Sequence, residues 1–159
     1  MYKIMNDKKY RQIADPIIDH PEYKKLKRES HHLMCTRYDH CLSVSHYTYH
    51  LAKMLKMDVE SATRAALLHD FFRNPKSGHG TKSLFTHGEL ALKNARKHFD
   101  VNEKEANIIA SHMFPTCAKA PLYKESWLVT LVDKFVSIME YAHKLNPVAI
   151  TCMLVLIRL

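Results

Sequence analysis

The sequence predicts an all-α fold, a compact single-domain bundle of six to eight helices. Three observations lead there. Only three glycines occur in 159 residues, all between positions 78 and 88, too few for a chain of tight hairpins. Runs of β-branched residues are scarce. Apolar residues recur at intervals of three and four, several times behind a helix-capping residue or a helix-starting proline.

Residues 2–13 and 21–30 read as short helices. Cys41, Val44, Ser45, Thr48, Ala52 and Leu55 line one face of a helix over about 39–56. Ala62, Ala65, Ala66, Leu67 and Leu68 make the next helix thin and closely packing, ending at His69-Asp70. Residues 74–85 form the one long irregular connection. Thr86, with Glu89 three residues on, reads as a capping box that opens a helix bearing Leu90, Leu92, Ala95 and Phe99. Asn102 and Glu105 make a second box ahead of Ile108, Ile109 and Met113. Pro121 suits the first turn of a long helix carrying Leu128, Leu131, Val132, Phe135, Ile138 and Met139 to about residue 143.

Pro147 then starts the apolar segment 148–157, interrupted by Thr151. It falls short of the ~20 residues needed to span a bilayer. It reads as a buried C-terminal helix, the alternative being an interface for a second subunit in a homodimer.

Hydrophobic residues make up 47% and charged residues 25%, the composition of one globular domain over residues 1–159. The formal net charge of +8 draws anions, whether nucleotide, nucleic acid or lipid, without choosing among them. The basic stretch 24–28 reads as a solvated helix face. No recognition helix and no interleaving of aromatic and basic residues supports a nucleic-acid partner. The four cysteines form no Cys-x-x-Cys pair, and residues 1–13 carry no apolar secretion segment. Reduced thiols and a cytoplasmic location follow as the expectation.

Twelve histidines is several times the usual share, and their placement matters more than their number. His40, the pair His69-Asp70, His87, His112 and Asp133 each lie at a helix end or on an apolar helix face. Imidazole nitrogens and aspartate oxygens in this mixture suit Fe, Mn, Zn or Co better than Ca or Mg alone. Consecutive helical residues point about 100° apart, so His69 and Asp70 share a ligand only where the helix stops. It stops there, because Phe71-Phe72-Arg73-Asn74-Pro75 follows. A buried charge on Asp70, behind an Ala-rich apolar helix, needs a cation or a donor network.

The series Arg37-x-x-His40, Ala66-Leu67-Leu68-His69-Asp70-Phe71, His87-Gly88-Glu89, Ser111-His112 and Leu131-Val132-Asp133-Lys134 resembles the HD-domain superfamily of metal-dependent phosphohydrolases. The resemblance covers about residues 36–140 and is nearest to small bacterial members acting on nucleotides. It implies an all-helical fold with a central metal site. His40, His69, Asp70 and Asp133 match the family's basic metal-binding set. His87 and His112 match the ligands added in branches holding two ions, with Asp70 as the bridge. The implied cofactor is one or two divalent ions, Fe or Mn favoured and Zn, Co, Ni or Mg compatible. The implied substrate is a small phosphorylated compound, a nucleotide first.

A metal lowers the pKa of water from about 15.7 toward ~7, which supplies a nucleophile at neutral pH. Arg37, Arg73 and Lys134 are the basic groups placed to neutralise a substrate phosphate, with a salt bridge to the neighbouring aspartates as the plain alternative. Asp70 and these three form the candidate catalytic set. His46 and His50, one turn apart, read as a solvated or packed face. His79 reads as an exposed loop residue, and His20, His98 and His143 as surface residues. Against the hydrolase reading stand a nucleotide-sensing module without turnover and a basic nuclease module.

Overall fold

A computed structural model of the chain describes residues 7–32, 35–72 and 82–145. Arg73, His79 and the apolar segment 148–157 lie outside the described residues. Helix α1 (Lys8–Ile18) starts at Asp7, whose carboxylate accepts the amides of Lys9 and Tyr10. It runs five residues past the predicted end, through Pro16, because Tyr10, Ala14 and Ile17 bury one face.

The predicted helix over 21–30 breaks into three pieces. Helix α2 (Pro21–Lys24) is followed by a 3₁₀ turn (Lys25–Arg28), then by strands β1 (Ser30–His32) and β2 (Cys35–Thr36), which pair antiparallel. His20 is no idle surface residue. Its Nδ1 accepts the Glu22 amide at 3.2 Å, so it caps α2, and its ring packs on Phe99. The rest of the domain is helical, as predicted: α3 (Arg37–Met54), α4 (Val59–Leu68), α5 (Lys82–His98), α6 (Glu103–Ser111) and α7 (Lys124–Leu145).

Helix α4 sits in the middle, packed by α3, α6 and α1 and touched by α5 and α7. Its alanines let neighbours approach closely, and Ala62, Ala65, Ala66, Leu67 and Leu68 are fully buried. The Asn102–Glu105 capping box is present at the start of α6. Thr86 is not the start of its helix, because α5 begins four residues earlier and encloses it. Pro121 lies ahead of α7 rather than in its first turn.

The predicted apolar face of α7 is in fact two faces. Leu128, Val129, Val132 and Val136 enter the core, whereas Trp127, Leu131, Phe135 and Ile138 form an exposed stripe, Leu131 at 62% and Ile138 at 59% exposure. No helix among the described residues is long and apolar enough to cross a membrane.

Asp58 fixes the start of α4 and thereby the far end that carries His69-Asp70. Its carboxylate caps Ser61 N at 3.1 Å and meets Lys104 Nζ at 2.8 Å. Burial would raise its pKa, but Lys104 and Ser61 outweigh burial and hold it below its ordinary value. A depressed folded pKa stabilises the protein above the unfolded value of about 3.9, and that contribution fades as pH falls through the folded pKa. Asp58→Ala is therefore expected to cost about 1 kcal/mol at pH 7 and progressively less below pH 4, read by urea unfolding at both pH values.

Candidate metal centre

Helices α4 and α6 end at the same place, and each ends in a histidine. His69 is the C-cap of α4 and His112 the C-cap of α6. The last carbonyls of a helix lack intrahelical donors. Each histidine supplies one: His69 Nδ1 donates to Ala66 O at 2.8 Å, and His112 Nδ1 donates to Ile109 O at 2.7 Å. With Nδ1 committed to the carbonyl, Nε2 of each ring faces inward, toward Asp133 for His69 and toward Asp70 and His87 for His112. Both helices also direct the negative ends of their dipoles at this point.

Three other helices complete the cluster. His40 lies in the first turns of α3, with Nε2 3.0 Å from Asp133 Oδ1 on α7. The same Asp133 oxygen is 3.5 Å from His69 Nε2. Asp70, just beyond α4, places Oδ1 3.6 Å from His112 Nε2 and 3.7 Å from His87 Nε2 on α5. His87 Nε2 and His112 Nε2 are 3.0 Å apart. The structure therefore brings together all six residues singled out from the sequence. His40, His69, Asp70, His112 and Asp133 are buried, and His87 is nearly so.

The donor set fits a divalent transition ion. Metal–ligand bonds of about 2.1 Å at 90–110° separate neighbouring ligand atoms by about 3.0–3.4 Å. The side-chain spacings here, 3.0–3.7 Å, are close to that. His69 Nε2 is buried without a hydrogen-bond partner, a cost that a cation would remove. His40, His69 and Asp133 form one group able to hold an ion, and His69, Asp70 and His112 form another.

The ionisable groups of the cluster shift one another strongly. Burial would lower the His40 pKa, but hydrogen bonds to Asp133 and Glu140 hold it up at about 9. Burial would raise Asp133, but His40 and His69 hold it far below the carboxylate range. His87 goes the other way: burial, with His112, His69 and Arg37 as positive neighbours, pushes it down to about 4 against the pull of Asp70.

Arg37 and Lys134 are engaged with backbone as well as site. Arg37 Nη1 donates to Phe72 O at 2.6 Å, its guanidinium lies 3.8 Å from the centre of the Phe72 ring, and Nε is 4.0 Å from Asp70 Oδ2. It thus clamps the turn that presents Asp70. Phe72 in turn stacks on His87, with centroids 5.4 Å apart and planes 19° apart. Lys134 Nζ donates to His112 O at 3.2 Å. His46 and His50 pack against each other and against Tyr10 and Tyr49, away from both candidate groups.

Sequence reasoning missed Glu140. Both of its oxygens lie 3.1 Å from His40 Nδ1. The signal was available: Glu140 follows Asp133 by seven residues, two helical turns, and so shares its face of α7.

Gly88 explains the residue after His87. A Cβ built there would stand 2.9 Å from Ala110 O and 3.1 Å from Ile109 O, the latter being the acceptor that orients His112. Backbone cannot yield easily. Gly88→Ala is expected to push α5 off α6, cost about 1–3 kcal/mol in chemical denaturation, and weaken metal retention on the His87–His112 side.

No curated protein and no solved structure compared with the chain matches it. The family model of the HD domain matches residues 37–138, more than half the chain and the whole span from Arg37 through Asp133. On that match, and with five helices delivering its histidines and aspartates to one point, the chain belongs to the HD-domain superfamily of metal-dependent phosphohydrolases.

Proposed function

We propose that the chain hydrolyses a phosphate ester or anhydride of a nucleotide or another small phosphorylated metabolite. The observation that carries this reading is two sets of three ligand groups, His40, His69 and Asp133 and then Asp70, His87 and His112, with neighbouring atoms 3.0–3.7 Å apart within each set and His69 linking the two. In this reading His40, His69, Asp70 and Asp133 would hold one divalent ion, and His87 and His112 would serve a second together with Asp70. The mixed nitrogen and oxygen donors suit Fe, Mn, Zn or Co, and Fe or Mn is the pair assigned in this reading. The bound metal supplies Lewis acidity, acidifying water and neutralising charge on phosphoryl oxygens.

The chain's own groups do the rest. Asp70 bridges the two halves of the site while Arg37 fixes the turn that presents it. Arg37 and Arg73 are the cations assigned to the substrate phosphate, for which a guanidinium offers paired donors. Lys134 holds the His112 carbonyl and adds positive charge at the same rim. The net charge of +8 favours an anionic substrate arriving from solution. The cysteines among the described residues, Cys35, Cys41 and Cys117, are free thiols, in keeping with the cytoplasmic location assigned in this reading.

The test is phosphate release by Mn²⁺- or Fe²⁺-loaded protein from a panel of nucleoside phosphates, cyclic nucleotides and dinucleoside polyphosphates. Turnover of at least one member is expected. Stoichiometric metal with no turnover across the panel would favour a nucleotide-sensing module instead.

A further inference from the structure

Each of three buried histidines in the centre has its Nδ1 anchored, but not by the same kind of group. His69 and His112 use backbone carbonyls at the ends of α4 and α6, where such carbonyls have no intrahelical donor. His40 has no such option. It lies in the fourth position of α3, where carbonyls already accept helix hydrogen bonds and only amides are in excess. Its acceptor must come from another element.

Glu140 provides it. His40 is fully buried, and its ring spans two carboxylates set two turns apart on α7: Asp133 at Nε2, 3.0 Å, and Glu140 at Nδ1, with both oxygens at 3.1 Å. The Glu140 side chain is itself only 17% exposed, and the single Cys35 S–H on β2 is shared between Thr36 O at 3.3 Å and Glu140 Oε1 at 3.6 Å. That thiol stays protonated, since burial and the Glu140 charge push it up to about 12. Cys35 thus gives Glu140 a weak, shared contact, while Glu140 holds His40 through both carboxylate oxygens.

We infer that Glu140 is a positioning residue of the metal centre, holding His40 by Nδ1–H so that Nε2 faces the cation beside Asp133. The inference rests on the metal-centre reading above. A carboxylate behind a ligating imidazole fixes its orientation and raises its basicity, and loss of such a partner typically weakens metal binding about 10–100-fold.

The experiment measures Mn²⁺ affinity of the full chain by calorimetry, with no substrate present. Glu140→Ala is expected to bind about 10–100-fold more weakly than wild type, and Glu140→Gln, which keeps an acceptor without the charge, to fall between them. In a His40→Ala background the Glu140→Ala loss should shrink to less than about two-fold, because the effect is transmitted through His40. A purely structural Glu140 would lower affinity equally in both backgrounds, and that result overturns the inference. So does Glu140→Ala binding within about two-fold of wild type. If Glu140→Ala loses its helical circular dichroism, Glu140→Gln carries the test, and unchanged affinity there overturns it. Wild-type protein that binds no Mn²⁺ removes the metal-centre reading and this inference with it. Wild type that binds, with variants that match it, removes this inference alone.

Discussion

Asp70→Ala is expected to abolish phosphohydrolase turnover, by at least about 10³-fold, or roughly 4 kcal/mol of barrier at 1.36 kcal/mol per decade. Asp70 reaches across the two halves of the site: it belongs to a candidate group with His69 and His112, and its Oδ1 also faces His87. Removing it leaves His87, His112 and Arg37 clustered with less negative charge to balance them, which opposes cation binding directly. Steady-state phosphate release and metal content by elemental analysis, on protein with wild-type helical circular dichroism, read the two consequences together. Asp70→Asn keeps the shape and removes the charge, and the same loss is expected from it. Turnover that survives either substitution contradicts the role given to Asp70.

The second large effect concerns stability. A ligand that binds only the folded state at 100 times its Kd adds about 2.7 kcal/mol. For a chain of this length each kcal/mol moves Tm by roughly 2–4 °C, so saturating Mn²⁺ is expected to raise Tm by roughly 5–10 °C and chelation to reverse it. The gain should depend on pH. Without metal, hydrogen bonds to Asp133 and Glu140 hold the His40 pKa at about 9, so at neutral pH the ring is cationic and binding must displace its proton. Apparent affinity therefore rises as pH approaches 9 and falls below it. Calorimetry in buffers of different ionisation enthalpy should detect proton release. A thermal midpoint indifferent to Mn²⁺ and chelator would contradict the centre.

The six candidate ligands were legible in the sequence because their chemistry conflicts with their surroundings. His69 and Asp70 end an Ala-rich apolar helix, and Asp133 falls among Leu128, Val132 and Val136, positions where a polar group needs a reason. Helix bodies were legible from apolar spacing, and Asn102–Glu105 from its reciprocal pattern. What escaped depends on partners distant in the chain. Glu140 looks like any helical surface acid until α3 is laid against α7. Thr86 and Glu89 match a capping box, but α5 starts earlier, so local pattern lost to helix extension. The strand pair at 30–36 is too short for alternation to register. On α7, apolar residues cover two faces, and spacing alone could not say which one enters the core.

The most direct measurement is anomalous scattering from crystals of the Mn²⁺-loaded chain, recorded across the manganese absorption edge. A metal centre on these residues predicts one or two peaks about 2.0–2.3 Å from His40 Nε2, His69 Nε2 and the Asp70 and Asp133 carboxylates, a second ion lying beside His87 and His112. Absence of any peak there, with these rings turned to separate hydrogen-bond partners, would contradict it.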